Sequence, residues 1–406
     1  MSLRIWIVKY GETIPFAPGR EGSHHFRSAE LTRRLIARGH SVTWWTGRFE
    51  HQTKQHLSVE GDTIEIPGNT GSTVRLLDSP GYLSNLSVRR FYDHYIIGRN
   101  FRRAIAQADK PDVIVASMPT PELARACADY AKNSRVPLIV DVRDMWPDIF
   151  SERIANRLGY FPKWLLYPYE ANVKSALNEA DSLTAITEDF LEWAQHKGSR
   201  TEEQRTRDGV FHLASRSYDL DEAHMARLEL IWRGRGLLPG NKRLFVWAGT
   251  LTDQAAARAL LEAQHLLPDD VKSRIQLVIC GKGDLENHVK TLAGQLPHVI
   301  FAGFVSRDEV QFVYSKSEVG LLCYDNSPDF KMSFPNKFGE YLANGLAVLT
   351  TVDGAMQRAY GDGGFIDTVE PTPAAIANAM IARVQRDPDA KTSVNARAVF
   401  HKDFDS

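Results

Sequence analysis

Short apolar runs rich in valine and isoleucine alternate with amphipathic segments from one end of the chain to the other. The first run, Leu3–Val8, leads through a loop containing glycine and proline into a segment near His25–Arg38 with one apolar face, which predicts a strand followed by a helix. Further strands of the first half are predicted at Val42–Trp45, Val113–Ala116, Leu138–Val142 and Leu183–Ile186. Continuous apolar strands of this kind are typical of parallel sheets covered on both faces. The pattern therefore predicts a doubly wound α/β fold.

The alternation decays between Arg200 and Lys242 into a polar stretch, in which Met225–Trp232 has the pattern of a short helix, and it then restarts. We expect a first domain at 1–215, a linker region at 216–243, a second domain at 244–390, and a helix or tail at 391–406. Two arrangements are open for this last segment: it stays with the second domain, or it crosses back to the first. The second half predicts strands at Leu244–Ala248, Ile275–Ile279, Val299–Phe301, Val319–Cys323 and Ala347–Thr350, with helices at Ala255–Leu267, Leu285–Leu296, Arg307–Ser315 and Asn336–Asn344. Two Rossmann-like doubly wound domains create an interdomain cleft lined by the carboxyl ends of both sheets, where open α/β sheets bind ligands.

Composition narrows the class of protein. A chain of 406 residues exceeds the roughly 250–300 residues at which single cores stop growing, which favours two domains. Lysine and arginine total 49 against 50 acidic residues, so the net charge of -1 provides no overall field for nucleic acid. Three separate cysteines in apolar runs, Cys127, Cys280 and Cys323, indicate reduced core thiols. With no signal-like segment and no spanning apolar stretch, we expect a cytoplasmic protein.

Glycine turns follow two predicted strands, at Gly249-Thr250 and at Gly281-Lys282-Gly283. Such turns let a backbone approach a phosphate or a nucleobase, with helix amides supplying positive potential. Each turn has an equally ordinary use in packing a strand against a helix, so neither identifies a ligand by itself.

The segment from Ser333 to Val348, SFPNKFGEYLANGLAV, places Lys337 and Glu340 three residues apart near a predicted helix start. A carboxylate can accept hydrogen bonds from two vicinal ribose hydroxyls, and a lysine can bind a diphosphate. The alternative is an ion pair on an ordinary helix surface.

Taken in order, these motifs resemble the retaining glycosyltransferases of the GT-B fold, the large group-1 (family four) type that builds lipopolysaccharide, capsule and exopolysaccharide. The resemblance rests on FVWAGTL, LVICGKGDLENHV, VIFAGFVSRDEVQFVYSKSEVGLLCY and FPNKFGEYLANGLAVLTT in the second half. The first half adds LTRRLIARGHSVTWWT, DVIVAS, PLIVDVRDMWPD and EANVKSALNEADSLTAIT.

The resemblance implies a nucleotide-sugar donor site on the second domain and an acceptor site on the first. Glu340 is then expected to bind the donor ribose, and Ser333 to Lys337 (with Phe334, Pro335 and Asn336) to bracket the diphosphate and sugar. The turns place Gly249, Thr250, Gly281, Lys282, Phe304 and Val305 near the nucleotide, while Gly22 and Ser23 contribute from the first domain.

Two positions depart from the family pattern. Thr250 and Asp253 stand where the family often has an arginine and a lysine, and Met332 stands where it has the first of two paired glutamates. We therefore expect Lys337 to supply the missing phosphate cation. Contacts to the donor sugar through the first glutamate are absent from this sequence.

The Asp141–Asp144 segment follows a predicted buried strand, which places Arg143 and Asp144 at its carboxyl end. This arginine–aspartate form resembles a subgroup acting on aminosugar-type substrates, and we expect both residues to be catalytic. The alternative is a loop ion pair between Arg143 and Asp144. We expect His24 and His25, in the glycine loop, to be exposed to solvent and to have no catalytic role.

No metal or other cofactor is expected, because the Asp-x-Asp motifs at 219–221, 387–389 and 403–405 do not follow buried strands. The stretches 88–103 and 160–167 interleave aromatic and basic residues, which fits either a membrane surface or lipid-diphosphate acceptor face, or simply packed helices. The protein is then cytoplasmic, or peripheral at the inner face of the plasma membrane.

The resemblance thus implies a retaining hexosyl- or N-acetylhexosaminyltransferase that moves a sugar from a nucleoside-diphosphate donor to a glycan or lipid-linked acceptor, in polysaccharide or glycoconjugate biosynthesis. Two alternatives stay open: a nucleotide-sugar epimerase of the same fold, and an inactive nucleotide-sugar-binding subunit, the latter favoured by Met332 and Thr250.

Overall fold

The computed structural model describes residues 2–18, 26–67, 71–84, 87–149, 166–215, 219–237, 242–386 and 390–405. The chain divides into two compact units, 1–211 and 212–406. Each unit is built around one main sheet.

The first unit combines a large sheet with helices and one small hairpin. Its strands are β1 Arg4–Val8, β2 Ser41–Gly47, β3 Phe49–Glu50, β4 Gln55–His56, β5 Thr63–Glu65, β6 Thr73–Leu77, β7 Val113–Met118, β8 Leu138–Val142, β9 Ser182–Ala185 and β10 Gly209–Val210. Its helices are α1 Arg27–Ala37, α2 Val88–Ile105, α3 Pro121–Ser134, α4 Tyr167–Glu179, α5 Glu188–Lys197 and α6 Glu202–Arg205.

The strand order of this sheet is β10-β9-β8-β7-β1-β2-β6-β5. All pairs are parallel except β5 with β6, which form an antiparallel edge, while β3 and β4 pair separately as an antiparallel hairpin. The chain winds outward in both directions from β1 and β7, so the switch point lies between these two strands.

The second unit has the strands β11 Arg243–Ala248, β12 Ile275–Cys280, β13 Val299–Gly303, β14 Val319–Leu322, β15 Ala347–Thr350 and β16 Ile366–Thr368. Its helices are α7 Glu222–Gly234, α8 Ala255–Leu266, α9 Asp269–Arg274, α10 Glu286–Gln295, α11 Arg307–Lys316, α12 Pro328–Met332, α13 Asn336–Ala343, α14 Ala355–Tyr360, α15 Pro373–Gln385 and α16 Ala390–Val399. A 3₁₀ turn at Gly361–Gly363 and a π-helical turn at Phe400–Phe404 complete the described elements.

The second sheet is parallel throughout, with the order β13-β12-β11-β14-β15-β16. Numbered from β11, this is the 3-2-1-4-5-6 order of a dinucleotide-binding Rossmann sheet, and its direction of winding reverses between β11 and β14. The prediction of two Rossmann-like doubly wound α/β units is confirmed.

Alternate residues of the second sheet are buried on opposite faces. Val246 and Ala248 belong to one core cluster, whereas Phe245 and Trp247 belong to another. Because side chains of a strand alternate in direction, an unbroken apolar run covers both faces, and each face needs its own layer of helices. This burial explains why the strands lack an apolar–polar alternation.

The segment 216–243, which we expected to be a linker region with a short helix at Met225–Trp232, contains the helix α7. Within it, α7 buries Leu228 and Trp232 in a core cluster of the second unit. The end of the chain is also part of this unit, because Phe400 and Phe404 lie in the same cluster. Burial in this core cluster gives both segments a structural role that their polar composition conceals.

Cys127, Cys280 and Cys323 are buried free thiols, as expected from their apolar surroundings. Within the described residues, no helix combines the length and the apolar composition that crossing a bilayer requires.

Candidate functional site

Two glycine turns meet at the carboxyl end of the second sheet. The amide of Gly249 donates to the Cys280 carbonyl at 2.9 Å, and the amide of Gly281 donates to the Gly303 carbonyl at 2.7 Å. A Cβ at Gly281 would lie 1.8 Å from the Gly249 oxygen, and Gly281 has φ of +151°. Close backbone packing therefore requires glycine here, and it brings the ends of β11, β12 and β13 together.

The side chains beside these turns are open to solvent. Thr250, Lys282 and Phe304 are exposed, and the Lys282 Nζ lies 5.6 Å from the centre of the Phe304 ring. Phe304 is 75% exposed, which is unusual for a large aromatic side chain and leaves one ring face available for stacking. Val305, by contrast, is a core residue.

Tyr341 of α13 fixes that helix against the switch point. Its hydroxyl lies 3.4 Å from the Val246 carbonyl of β11 and 3.3 Å from the Leu321 carbonyl of β14. Its ring lies over Gly320, where an added Cβ would come 2.2 Å from the ring. The strands on either side of the reversal are thus bridged by one side chain of the helix that carries Lys337 and Glu340.

Glu340 is held by two donors on one oxygen. The Lys337 Nζ lies 2.8 Å and the Tyr314 hydroxyl 3.0 Å from Oε2 of Glu340. Burial, with a further contribution from the Glu340 carboxylate, keeps the pKa of Tyr314 well above its usual range, so its hydroxyl remains a donor. Among the described residues no further partner bonds Oε1, and 29% of the side chain is exposed. The carboxylate is oriented while one oxygen stays available to a ligand.

The residues that precede α13 have different environments. Asn336 is exposed, Ser333 and Pro335 are partly buried, and Pro335 is the N-cap residue. Phe334 is buried in an aromatic cluster with Phe338, Tyr360, Phe404 and His212, so its side chain has a core role. The contact with the diphosphate and sugar that the resemblance implies for Phe334 is therefore left to its backbone.

A second group of polar residues lies at the carboxyl ends of β1 and β8, in the first unit. Arg143 donates to Asp141 Oδ2 at 2.6 Å, to Glu12 Oε2 at 2.9 Å and to Ser28 Oγ at 2.9 Å. Arg27 binds the same Asp141 carboxylate at 3.0 and 3.1 Å. Arg143 therefore forms ion pairs with Asp141 and Glu12, whereas the alternative that we considered was a pair with Asp144.

This network is deeply buried. Burial opposes ionisation of Asp141, but Arg143 and Arg27 more than offset it and hold the pKa of Asp141 well below its usual range. Oε1 of Glu12 accepts from the amides of Ser28 and Ala29, at the start of α1. The carboxylate of Glu12 thus occupies the positive end of that helix and links it to Arg143.

Asp144 is oriented by its own loop. Its Oδ1 accepts from the Met145 amide at 2.8 Å, and its Oδ2 accepts from Trp146 Nε1 at 3.1 Å. Lys9, directly after β1, interacts electrostatically with the Asp144 carboxylate and donates a hydrogen bond to the Pro119 carbonyl at 3.3 Å. Burial and the charge of Arg143 lower the pKa of Lys9 to about 8.

The structure brings Lys337 and Glu340 together with the Gly249 and Gly281 turns in one unit, and it brings Arg143 and Asp144 to a strand end in the other. Gly22, Ser23, His24 and His25 lie outside the described residues. Sequence reasoning missed Tyr314, Glu12 and Arg27. Only Glu12 carried a signal, as the first acidic residue of the chain, four positions after the first strand.

The aromatic and basic stretch on α2 is divided between surface and interior. Val88, Tyr92 and Tyr95 are exposed large apolar residues along one side of the helix, and Arg99 and Arg103 are exposed beside them. Phe91 and Phe101 instead pack inward. Residues 160–165 of the second stretch lie outside the described residues, and Tyr167 is 70% exposed.

Both units match known domain families. Residues 24–207 match the glycosyl transferase 4-like domain, and residues 242–386 match the glycosyl transferases group 1 family. No curated protein matches the sequence.

Solved structures share the fold over almost the whole chain. HepE of Anabaena in complex with UDP has 15% identity and a TM-score of 0.63, with coverage of 100% of this chain and 96% of that one. The sucrose-phosphate synthase of Thermosynechococcus elongatus has 15% identity and a TM-score of 0.69, covering 99% and 95%. WaaG, a glycosyltransferase involved in lipopolysaccharide biosynthesis, has 14% identity and a TM-score of 0.62, covering 98% and 95%. At these identities the likeness establishes the fold.

The contact between Gly320 and Tyr341 yields a stability prediction. Gly320→Ala puts a methyl group 2.2 Å from the ring, so α13 has to shift. Overpacking of this kind costs about 1–3 kcal/mol. Thermal unfolding of the variant is expected to occur at a lower temperature than for the wild type.

Gly294→Ala is the matched control, because Gly294 is exposed on α10 with no atom within 4 Å of the new methyl group. It should be neutral or slightly stabilising. Equal stability of the Gly320→Ala variant and the wild type would contradict the close packing of the Tyr341 ring on Gly320.

Proposed function

We propose, from the premise that this chain is a glycosyltransferase of the GT-B fold, that it transfers a sugar with retention from a nucleoside-diphosphate donor to a glycan or lipid-linked acceptor. The observation that carries the proposal is the arrangement of Glu340 and Lys337 at the start of α13, beside the switch point of the second sheet. Open α/β sheets bind nucleotides at such points.

The donor nucleotide is assigned to the second unit. Oε1 of Glu340 is available for a ribose hydroxyl, and Oε2 is already set in position by Tyr314 and Lys337. A charged acceptor that bonds two vicinal hydroxyls would distinguish ribose from deoxyribose and hold the sugar rigidly. The exposed Phe304 and Lys282 are the proposed contacts of the nucleobase. UDP is bound by HepE, a protein of the same fold.

The leaving diphosphate is assigned to Lys337 and the amides that open α13, with no metal ion in the proposed role. A lysine at this position would neutralise the charge that develops as the glycosidic bond breaks, which is electrostatic stabilisation of the transition state. Retention follows if the leaving phosphate takes the proton of the acceptor hydroxyl on the same face. No protein nucleophile is then needed.

The acceptor is assigned to the first unit. Asp144 is the proposed catalytic carboxylate on the acceptor side, because it is partly exposed and oriented by Met145 and Trp146. Arg143 is proposed as a positioning residue, since its three partners Asp141, Glu12 and Ser28 join β1, α1 and β8. We also propose that the exposed side of α2 binds an acidic membrane surface. The protein should then sediment more strongly with acidic vesicles than with neutral ones.

A second candidate is an inactive nucleotide-sugar-binding subunit. Met332 and Thr250, which stand at positions where the family has charged residues, favour it. Such a subunit would bind the nucleotide sugar at the same donor site but would not transfer the sugar.

The donor site is tested by Glu340→Gln and Lys337→Met. Glu340→Gln keeps the shape and loses the charge, so affinity for a nucleoside diphosphate should fall about ten- to hundredfold, equivalent to roughly 1.4–3 kcal/mol. Lys337→Met should weaken the nucleoside diphosphate more than the free nucleoside, because only the former carries the charge that lysine binds. Calorimetric titration with UDP, GDP, ADP and dTDP and their nucleosides measures both effects.

The matched control is the ion pair of Glu229 and Arg233 on α7, with N and O atoms 2.6 Å apart. Glu229→Gln and Arg233→Met remove an equivalent pair and should leave nucleotide affinity unchanged. If the Glu340 and Lys337 variants behave like these controls, the donor site is misassigned.

Asp144→Asn tests the acceptor side. The amide retains the shape but lacks the negative charge, so turnover should fall or the acceptor KM should rise, while nucleotide affinity stays close to that of the wild type. Steady-state kinetics combined with nucleotide titration separate the two effects. A loss confined to nucleotide affinity would place Asp144 in the donor site instead.

A further inference from the structure

The first unit carries a compact group of basic residues at the carboxyl end of β1. Lys9 directly follows that strand, His51 and Lys54 lie at the tip of the β3–β4 hairpin, and Arg90 lies in the first turn of α2. We call these four residues the basic cluster. All four are partly exposed, although the Nε atom of Arg90 is buried.

Close packing holds the hairpin tip beside β1. A Cβ at Gly11, three residues after β1, would lie 3.3 Å from the His51 Cβ. His51 Nδ1 lies 2.7 Å from the Tyr82 hydroxyl and 3.2 Å from the Lys54 Nζ. These contacts give the hairpin a defined place at the strand end, although its own ladder has only two residue pairs.

The cations of the cluster rest on aromatic rings. Lys54 Nζ lies 4.8 Å from the centre of the Tyr82 ring, and the Arg90 guanidinium lies 5.1 Å from that ring and 4.3 Å from the Trp146 ring. Contact with an aromatic face stabilises a cation and fixes its position. Trp146 in turn donates to Asp144, so the cluster adjoins the carboxylate assigned to the acceptor.

His51 lies among positively charged side chains. Burial, with repulsion from Lys54, Arg90 and Lys9, lowers the pKa of His51 to about 4. Burial and the charge of Arg90 likewise lower the pKa of Lys54 to about 8. The charges that act on His51 are therefore cationic, whereas carboxylates also act on two other members of the cluster: Asp144 on Arg90, and Asp144, Glu12 and Asp141 on Lys9.

The backbone at Lys54 is in a costly conformation. Its φ is +57°, in the left-handed region that residues other than glycine, asparagine and aspartate seldom adopt. Such a conformation persists only where surrounding contacts impose it, and it is concentrated at ligand-binding sites. Here it turns the lysine toward Tyr82 and His51.

We infer that the basic cluster is an anion site that recognises a phosphoryl group on the acceptor, with Arg90 and Lys54 as the residues that bind it. Phosphoryl chemistry fits because a guanidinium supplies paired donors and a lysine supplies a compact charge, the combination that binds phosphate most effectively. The inference rests on the proposed function, and it narrows the acceptor to a phosphorylated lipid or a sugar phosphate.

The site is tested by calorimetric titration with inorganic pyrophosphate in the Lys337→Met background, which weakens the proposed donor site. Arg90→Gln and Lys54→Asn should each weaken binding about tenfold or more, and asparagine tolerates the left-handed backbone at position 54. Arg38→Gln, at the exposed C-cap residue of α1, is the matched control and should bind like its parent. Equal pyrophosphate affinity in all variants, or no measurable binding by the Lys337→Met protein, would overturn the inference.

His51 offers a readout at the site itself. Because repulsion by Lys54, Arg90 and Lys9 lowers its pKa, a bound anion should raise the pKa of His51, as followed by the NMR titration of its ring protons with and without inorganic phosphate. An unchanged His51 titration at a phosphate concentration that saturates the calorimetric binding would place the anion elsewhere.

Two further arms identify the source of the phosphoryl group. Neutral phosphatidylcholine vesicles carrying a few per cent of a polyprenyl phosphate are compared with a soluble hexose phosphate, and Arg90→Gln should weaken binding to whichever is recognised. The affinity for a nucleoside diphosphate is also measured for Arg90→Gln in the protein that retains Lys337. This measurement separates a failure of the anion site from a failure of the donor site. If that affinity is intact while anion binding is unaffected by the substitution, the inference fails and the donor assignment stands.

Discussion

The candidate donor site depends on the contact between Tyr341 and Gly320. Parallel strands that wind outward in both directions leave a split where the direction reverses, and in the second unit this split lies between β11 and β14. Tyr341 spans it, with its hydroxyl beside a carbonyl of each strand, and Gly320 supplies the space for its ring. Because Tyr341 directly follows Glu340, the packing of an aromatic ring determines where the ligand-binding carboxylate lies.

Backbone packing and charge orientation complete the same site. Gly249 and Gly281 allow adjacent turns to approach more closely than any side chain would permit. Tyr314, a buried donor, fixes one oxygen of Glu340 and leaves the other exposed. The site is thus assembled before any ligand arrives, which lowers the entropic cost of binding.

In the first unit, buried charges and not an aromatic ring join the strand ends to a helix. Arg143, Arg27, Asp141 and Glu12 form a buried network that ties the ends of β1 and β8 to the start of α1. Breaking one partner of such a network leaves an uncompensated buried charge, so these residues are better suited to positioning than to reaction. Asp144 and the basic cluster, which are partly exposed at the same edge, are left to meet a substrate.

The sequence predicted the strands and helices that carry long apolar patterns, together with the pairing of Lys337 with Glu340, because these depend on neighbours in the chain. It did not predict β5 and β6, whose short runs alternate in polarity, or the β3–β4 hairpin, with two residues per strand. Tyr314 and Glu12 were missed for another reason. Their roles arise from contacts 26 and 131 residues away, with Glu340 and Arg143, and nothing local marks such partners.

The measurement that tests the central claim most directly is product analysis of a nucleotide sugar incubated with the protein, with and without a phosphorylated glycosyl acceptor. The account predicts that free nucleoside diphosphate appears together with a new glycoside, that both require the acceptor, and that the anomeric configuration of the donor is kept in the product. Donor conversion to an isomeric sugar without acceptor would identify an epimerase. Saturable nucleotide binding with no product under either condition would contradict the assignment of transferase activity.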